Sequence, residues 1–137
     1  MNLSNLSGLE KMEVYLRTLT KTFQEFDVQT KMFPNSGIAV RTMKLKAGEV
    51  VLGKIHKEWN VNILASGSMY VSNDPTKDFV RVEAPAVFET GPESQKFVMC
   101  ITDCVFMNAI ISNNETEDEL LNRMAKDTRI TNLIKDK

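Results

Sequence analysis

His56 is the only imidazole in this chain of 137 residues, and that scarcity closes several routes at once. A first-row metal held with an open position asks for about three imidazoles and a carboxylate, so His56 stands alone as a candidate metal ligand. No cofactor is expected. His56 also has no G-x-S-x-G partner for nucleophilic chemistry, and no glycine-rich phosphate loop is present. Two cysteines, Cys100 and Cys104, are too few for a disulfide scaffold. They bracket Ile101-Thr102-Asp103, which reads as a turn, and a hairpin bridge there is at odds with a reduced cytosol. The expectation is two free, mostly buried thiols. A net charge of −1 supplies no electrostatic reason to bind nucleic acid. No apolar run approaches membrane-spanning length. The opening MNLSNLSGLEKME lacks the apolar region of a signal peptide. Together these absences predict a cytoplasmic protein with neither nucleic acid nor membrane as partner.

What remains is an ordinary globular composition, 42% apolar and 26% charged. The length suits one domain over residues 1–137 with a real core. Ser7-Gly8-Leu9-Glu10 has the form of a capping box, and Leu9, Met12, Leu16, Leu19, Phe23 and Phe26 follow at spacings of three and four. This predicts an N-terminal helix over about 7–26. Its apolar stripe would pack on the outside of the same subunit or form a dimer contact. Phe33 to Gly37 is turn chemistry. Short strands with turns between them then run from Ile38 to Ile111, which argues for a sandwich or barrel. Along Ile38–Lys46, Arg41, Met43 and Leu45 share one face. A second capping box, Thr116-Glu117-Asp118-Glu119, predicts a C-terminal helix over about 115–126, followed by a tail with Ile130, Leu133 and Ile134 at helical spacing.

The chain is organised around Gly48 to Gly67, a strand, a bend and a second strand that carry His56 and the only tryptophan, Trp59. Strand alternation puts Lys54 and His56 on one face, opposite Val51 and Gly53, and Asn60 and Asn62 together past the bend. If the two strands pair as a hairpin, Lys54, His56, Asn60 and Asn62 converge. A cation, an imidazole and two amides would make a polar pocket floor. The alternative is an edge hairpin with solvated polar groups.

The spacing resembles the first motif of the cupin superfamily, G-x5-H-x-H-x3,4-E-x6-G. Gly48, His56 and Gly67 match, while Lys54 stands at the first histidine and Asn60 at the acid. The second motif survives mainly in Pro85, with Thr90 at its histidine. Gly53-Lys54-Ile55-His56-Lys57, then Asn62, Ile63, Gly67, Pro85, Phe88, Asp103 and Val105, also resemble small single-domain cupin-like proteins of tailed phages and prophages. The resemblance implies a mainly β fold: a small RmlC-like jelly-roll barrel over about 30–112 with a helix at each end, forming a homodimer. It implies a metal-free member, because the departures fall on the ligands. The candidate pocket is Lys54, His56, Asn60, Asn62, Tyr70 and Thr90. The expected function is non-catalytic binding of a small polar or anionic molecule, or of a protein, as an accessory protein in an infected cell's cytoplasm. The alternatives are a metal-dependent isomerase, dioxygenase or lyase using His56, and a structural homo-oligomer without ligand.

Overall fold

A computed structural model describes residues 27–72 and 79–126, without the side chains of Leu52, Lys54 and Lys126. The expected N-terminal helix and the C-terminal tail lie outside these residues. Among the described residues, ten strands form two five-stranded antiparallel sheets. The first sheet has the order β1 (Asp27–Phe33), β2 (Ile38–Leu45), β9 (Cys104–Ile111), β4 (Asn60–Ser66), β7 (Ala86–Thr90). The second has the order β10 (Ala125–Lys126), β3 (Val50–His56), β8 (Gln95–Cys100), β5 (Ser68–Ser72), β6 (Val80–Glu83). The barrel expected from sequence is therefore a pair of facing sheets. No described helix is long and apolar enough to cross a membrane.

Inward residues of both sheets meet in one core, built on Leu45, Val51, Leu64, Met69, Val71, Val98 and Phe106. Cys100 and Cys104 are buried in it as free thiols. Burial pushes the Cys100 thiol up to about 12, so it is an inert apolar group at neutral pH. Strand β1 carries no expectation from sequence. Its alternation of Val28, Thr30 and Met32 with Asp27, Gln29 and Lys31 is real, but only two of its inward side chains are apolar.

Two corrections concern the organising stretch. Strands β3 and β4 do not pair as a hairpin; β3 belongs to the second sheet and β4 to the first. The bend at Lys57–Trp59 carries the chain between sheets, so His56 and Asn60 face each other across it. The alternation along β3 also breaks. Its register against β8 slips between Leu52 and Ile55, where β3 holds one extra residue. Such a bulge re-aims the side chains beyond it, and Val51, Gly53 and His56 consequently line the same cavity.

The C-terminal helix α1 (Glu117–Met124) begins at the expected capping box: Thr116 Oγ1 accepts from the Glu119 amide at 3.2 Å, and Glu119 Oε1 accepts from the Thr116 amide at 3.1 Å. Leu120 and Met124 pack with Ala39 and Ile110 at one end of the first sheet. Arg123 fixes the helix by donating to Glu115, to the Ile111 carbonyl at 2.6 Å and to Glu58 on the β3–β4 bend. Strand β10 then pairs Ala125 with His56. The helix is thus held over one mouth of the space between the sheets.

Gly67 turns the chain from β4 into β5 at φ +93°. A Cβ there would sit 2.2 Å from the Asp103 carbonyl oxygen and 2.8 Å from Cys104 Sγ. Gly48 has a similar φ of +84° but nothing within 4 Å. In urea unfolding, Gly67→Ala is expected to lose about 3 kcal/mol and Gly48→Ala about 1 kcal/mol. Equal losses would mean that Gly67 serves only for its backbone angle.

Candidate functional site

Beneath α1 the two sheets border a partly open cavity of about 290 Å³. Its apolar wall includes Met43, Leu45, Val51, Val98 and Phe106, with Leu121 and Met124 of the helix above. Its polar lining is Arg41, His56, Lys96 and Asn108.

Register explains this grouping. Arg41 on β2 pairs with Asn108 on β9, which pairs with Asn62 on β4. Asn60, two residues before Asn62, pairs with Thr90 on β7. One face of the first sheet therefore carries a patch of amide and hydroxyl groups with a guanidinium at its side. His56 and Lys96 approach it from the second sheet.

The polar groups form a continuous network. Asn60 Nδ2 contacts His56 Nδ1 at 3.1 Å and the Glu58 and Thr90 carbonyls at 3.4 Å each. Two carbonyls on that side fix it as the amide nitrogen. Asn60 donates to His56 Nδ1, so the neutral ring carries its proton on Nε2. Asn60 Oδ1 accepts from Asn108 Nδ2 at 3.1 Å and from the Thr90 hydroxyl at 3.3 Å. Asn108 Nδ2 also donates to Asn62 Oδ1. Thr90 Oγ1 in turn accepts from Asn62 Nδ2 at 3.0 Å and from Lys96 Nζ at 2.8 Å. Asn60, Asn62, Thr90 and Lys96 are all buried.

The charges are less well served. Lys96 is 5% exposed, and burial pulls its amine down to about 7. Burial likewise holds the Arg41 guanidinium below its ordinary value, against the pull of Glu117 in the first turn of α1. Arg41 Nε is buried and has no hydrogen-bond partner among the described residues. Burial, Lys96 and Arg41, in that order, depress His56 to about 4. At neutral pH the imidazole is therefore uncharged, Arg41 carries positive charge, and Lys96 is shared between its charged and neutral forms.

Of the six residues picked from sequence, His56 lines the cavity, while Asn60, Asn62 and Thr90 join it in the polar network without being part of the cavity lining. The Lys54 side chain lies outside the described residues. Tyr70 stands apart; β5 turns Met69 and Val71 into the core and leaves Tyr70 exposed beside Arg81. Arg41, Lys96 and Asn108 were missed. The signal for two of them was present, since Arg41 is in phase with Met43 and Leu45, and Lys96 with Val98 and Cys100.

The donor set does not suit a metal ion. No group of three or more histidine, cysteine, aspartate or glutamate side chains could hold one among the described residues. Around His56 stand amides, a hydroxyl and two cationic side chains, which repel a metal cation rather than ligate it.

No protein-family model and no curated protein matches the sequence. Solved structures do match. A cupin superfamily protein from Desulfitobacterium hafniense superposes with a TM-score of 0.54 at 8% identity, over 72% of this chain and 88% of its own. An uncharacterised conserved protein with a double-stranded β-helix domain from Klebsiella pneumoniae gives 0.56 at 11% identity, over 82% and 94%. An acetylacetone dioxygenase from Acinetobacter johnsonii gives 0.52 at 14% identity, over 67% and 66%. At such identities the likeness establishes the fold, which is cupin-like.

His56 gives a direct test of the site's electrostatics. Its folded value of about 4 lies below the ordinary 6.5. As pH falls through that interval the unfolded chain takes the proton first. Stability is therefore full above about 6.5 and declines towards 4, by about 3 kcal/mol at most. The chain's one imidazole should titrate near pH 4 by NMR. A midpoint near 6.5 would mean that the ring is solvated and the cations are remote.

Proposed function

We propose that this chain is a non-catalytic binding protein of cupin-like fold, and that the cavity under α1 holds a small organic anion. One observation carries the reading: Arg41 and Lys96 line a partly open, largely apolar cavity that has no carboxylate among its described lining residues. A buried cation without a counter-charge is strongly destabilising, and a ligand carboxylate or phosphate relieves it. The amide network is already satisfied internally, so it positions these groups without competing for the ligand. The resemblance of Gly53–Lys57, Asn62, Ile63 and Gly67 to phage-encoded proteins supports an accessory role in an infected cell's cytoplasm.

Native mass spectrometry of untagged protein, set against the denatured mass, is expected to reveal a retained organic anion. Added carboxylates with apolar bodies, such as benzoate and 4-methylpentanoate, should raise the melting temperature of the wild type, by about 2.7 kcal/mol of stabilisation at a hundredfold excess over Kd. Arg41→Met should lose both responses. If the wild type retains nothing and ignores every carboxylate and phosphate offered, the reading is wrong.

A homodimer is the second part of the proposal. Its support is the outer face of the first sheet, where Ile63, Met107 and Val87 form one cross-strand row and Val61 with Ala109 the next. Val87 and Ile111 are 69% and 67% exposed on this face, an apolar patch of the kind that marks interaction surfaces. Light scattering is expected to give a dimer mass for the wild type and a monomer mass for a folded Val87→Asp/Ile111→Asp variant. A wild-type monomer would refute the pairing.

A further inference from the structure

We propose that Lys96 captures the carbonyl of a 2-oxo acid as a reversible imine, with the acid's carboxylate held by Arg41. This rests on the anion-binding reading and names the ligand class for that cavity. The Lys96 amine is buried between the sheets, and its hydrogen bond goes to a neutral group, Thr90 Oγ1. That hydroxyl spends its own hydrogen on Asn60 Oδ1, so it accepts from the amine and does not block the nitrogen lone pair by donating to it. No carboxylate among the described residues offsets the burial of the amine. A lysine desolvated by burial is driven towards the free base that attacks carbonyls.

Arg41, from the opposite sheet, lines the same cavity as Lys96 and can serve the other half of the ligand. Its cross-strand neighbour Asn108 donates to the same Asn60 oxygen that takes the Thr90 hydroxyl. Arg41 and Lys96 are thus the flanks of one short network, and both bear on His56. A planar carboxylate suits a guanidinium with an unpartnered Nε. A 2-oxo acid carries its carbonyl on the next carbon, so one cavity lined by both groups can serve its two functions. The remaining wall, Met43, Leu45, Val98 and Phe106, calls for an apolar body. The ligand is therefore a 2-oxo acid with a branched or aromatic side chain.

The step is a condensation. The Lys96 nitrogen lone pair forms a bond to the carbonyl carbon. The carbonyl oxygen leaves as water, taking up the equivalent of the two amine hydrogens, and a C=N bond remains. Nothing is oxidised or reduced, and hydrolysis reverses it.

The test is trapping with cyanoborohydride at pH 7 in the presence of 4-methyl-2-oxopentanoate. The intact mass should rise by the acid less one water plus two hydrogens, with the label on the Lys96 peptide about tenfold or more above any other lysine. Lys96→Arg, which keeps a long cationic stem, should give no label at that position, and Arg41→Met should reduce it strongly. The carbonyl-free 4-methylpentanoate should form no adduct and should suppress labelling. If 4-methylpentanoate raises the melting temperature but no adduct forms at Lys96, the imine is refuted while anion binding stands. If neither acid binds, both fall. Label spread evenly over surface lysines also overturns the proposal.

Discussion

The constraint on which this architecture turns is positive charge held in an apolar space. An ionised group moved from water into a protein interior costs several kcal/mol even after relaxation, unless a counter-charge or hydrogen bonds offset it. Lys96 and Arg41 have no carboxylate of the cavity lining to do so. Several features answer that deficit. Thr90 gives Lys96 a buried acceptor. Glu117, in the acidic first turn of α1, acts on Arg41 without closing an ion pair. His56 gives up its own charge, which prevents a third cation at the same place. The second sheet contributes Lys96, the first contributes Arg41, and the core between them holds both where water cannot fully solvate them.

The amide network gives this arrangement its shape. Each of Asn60, Asn62 and Asn108 uses its nitrogen on an oxygen of the network or of the backbone, and Thr90 links them to Lys96. A fully connected buried network fixes rotamers that an apolar core would leave freer. Those rotamers depend on register: Asn108 meets Asn62, and Thr90 meets Asn60, because β4 lies between β9 and β7. The bulge in β3 and the crossing of the Lys57–Trp59 bend bring His56 to the same spot from the other sheet. Arg123 and strand β10 then hold α1 over the opening.

Much of the fold was legible because its signals are local. The Thr116–Glu119 capping box, the Gly67 turn and the short strands from Ile38 to Ile111 each declare themselves within a few residues. The helix expected before Asp27 lies outside the described residues. Part of the polar network was legible for a different reason. His56, Asn60 and Asn62 cluster in sequence, and Thr90 fell on a motif position. Arg41, Lys96 and Asn108 sit alone in apolar strands, and only the pairing of β2, β9 and β8 with their neighbours brings them to the cavity. The face of His56 could not be read at all, since a single inserted residue in β3 reverses the alternation. The expected Lys57–Trp59 hairpin failed because sequence proximity does not distinguish a turn within a sheet from a crossing between two.

The same comparison bears on what the site is for. Three positions that a cupin metal motif would fill with ligands, His56, Asn60 and Thr90, do lie together, within 3.1 to 3.3 Å of one another along the chain of contacts. The geometry of a ligand cluster is present while its chemistry is inverted: amide and hydroxyl stand at two of the positions, and the surrounding charges are positive. A fold that carries many activities changes them by exchanging such groups on a fixed backbone. Arg41 and Lys96 stand beside these positions, and their charge disfavours a metal ion there. In the proposed function the apolar wall selects among anions, since a fully hydrated one gains little from Met43, Leu45, Val98 and Phe106. Under the proposed anion-binding function, charge at the polar flank and hydrocarbon opposite it are one specification, met by a small acid with an apolar body.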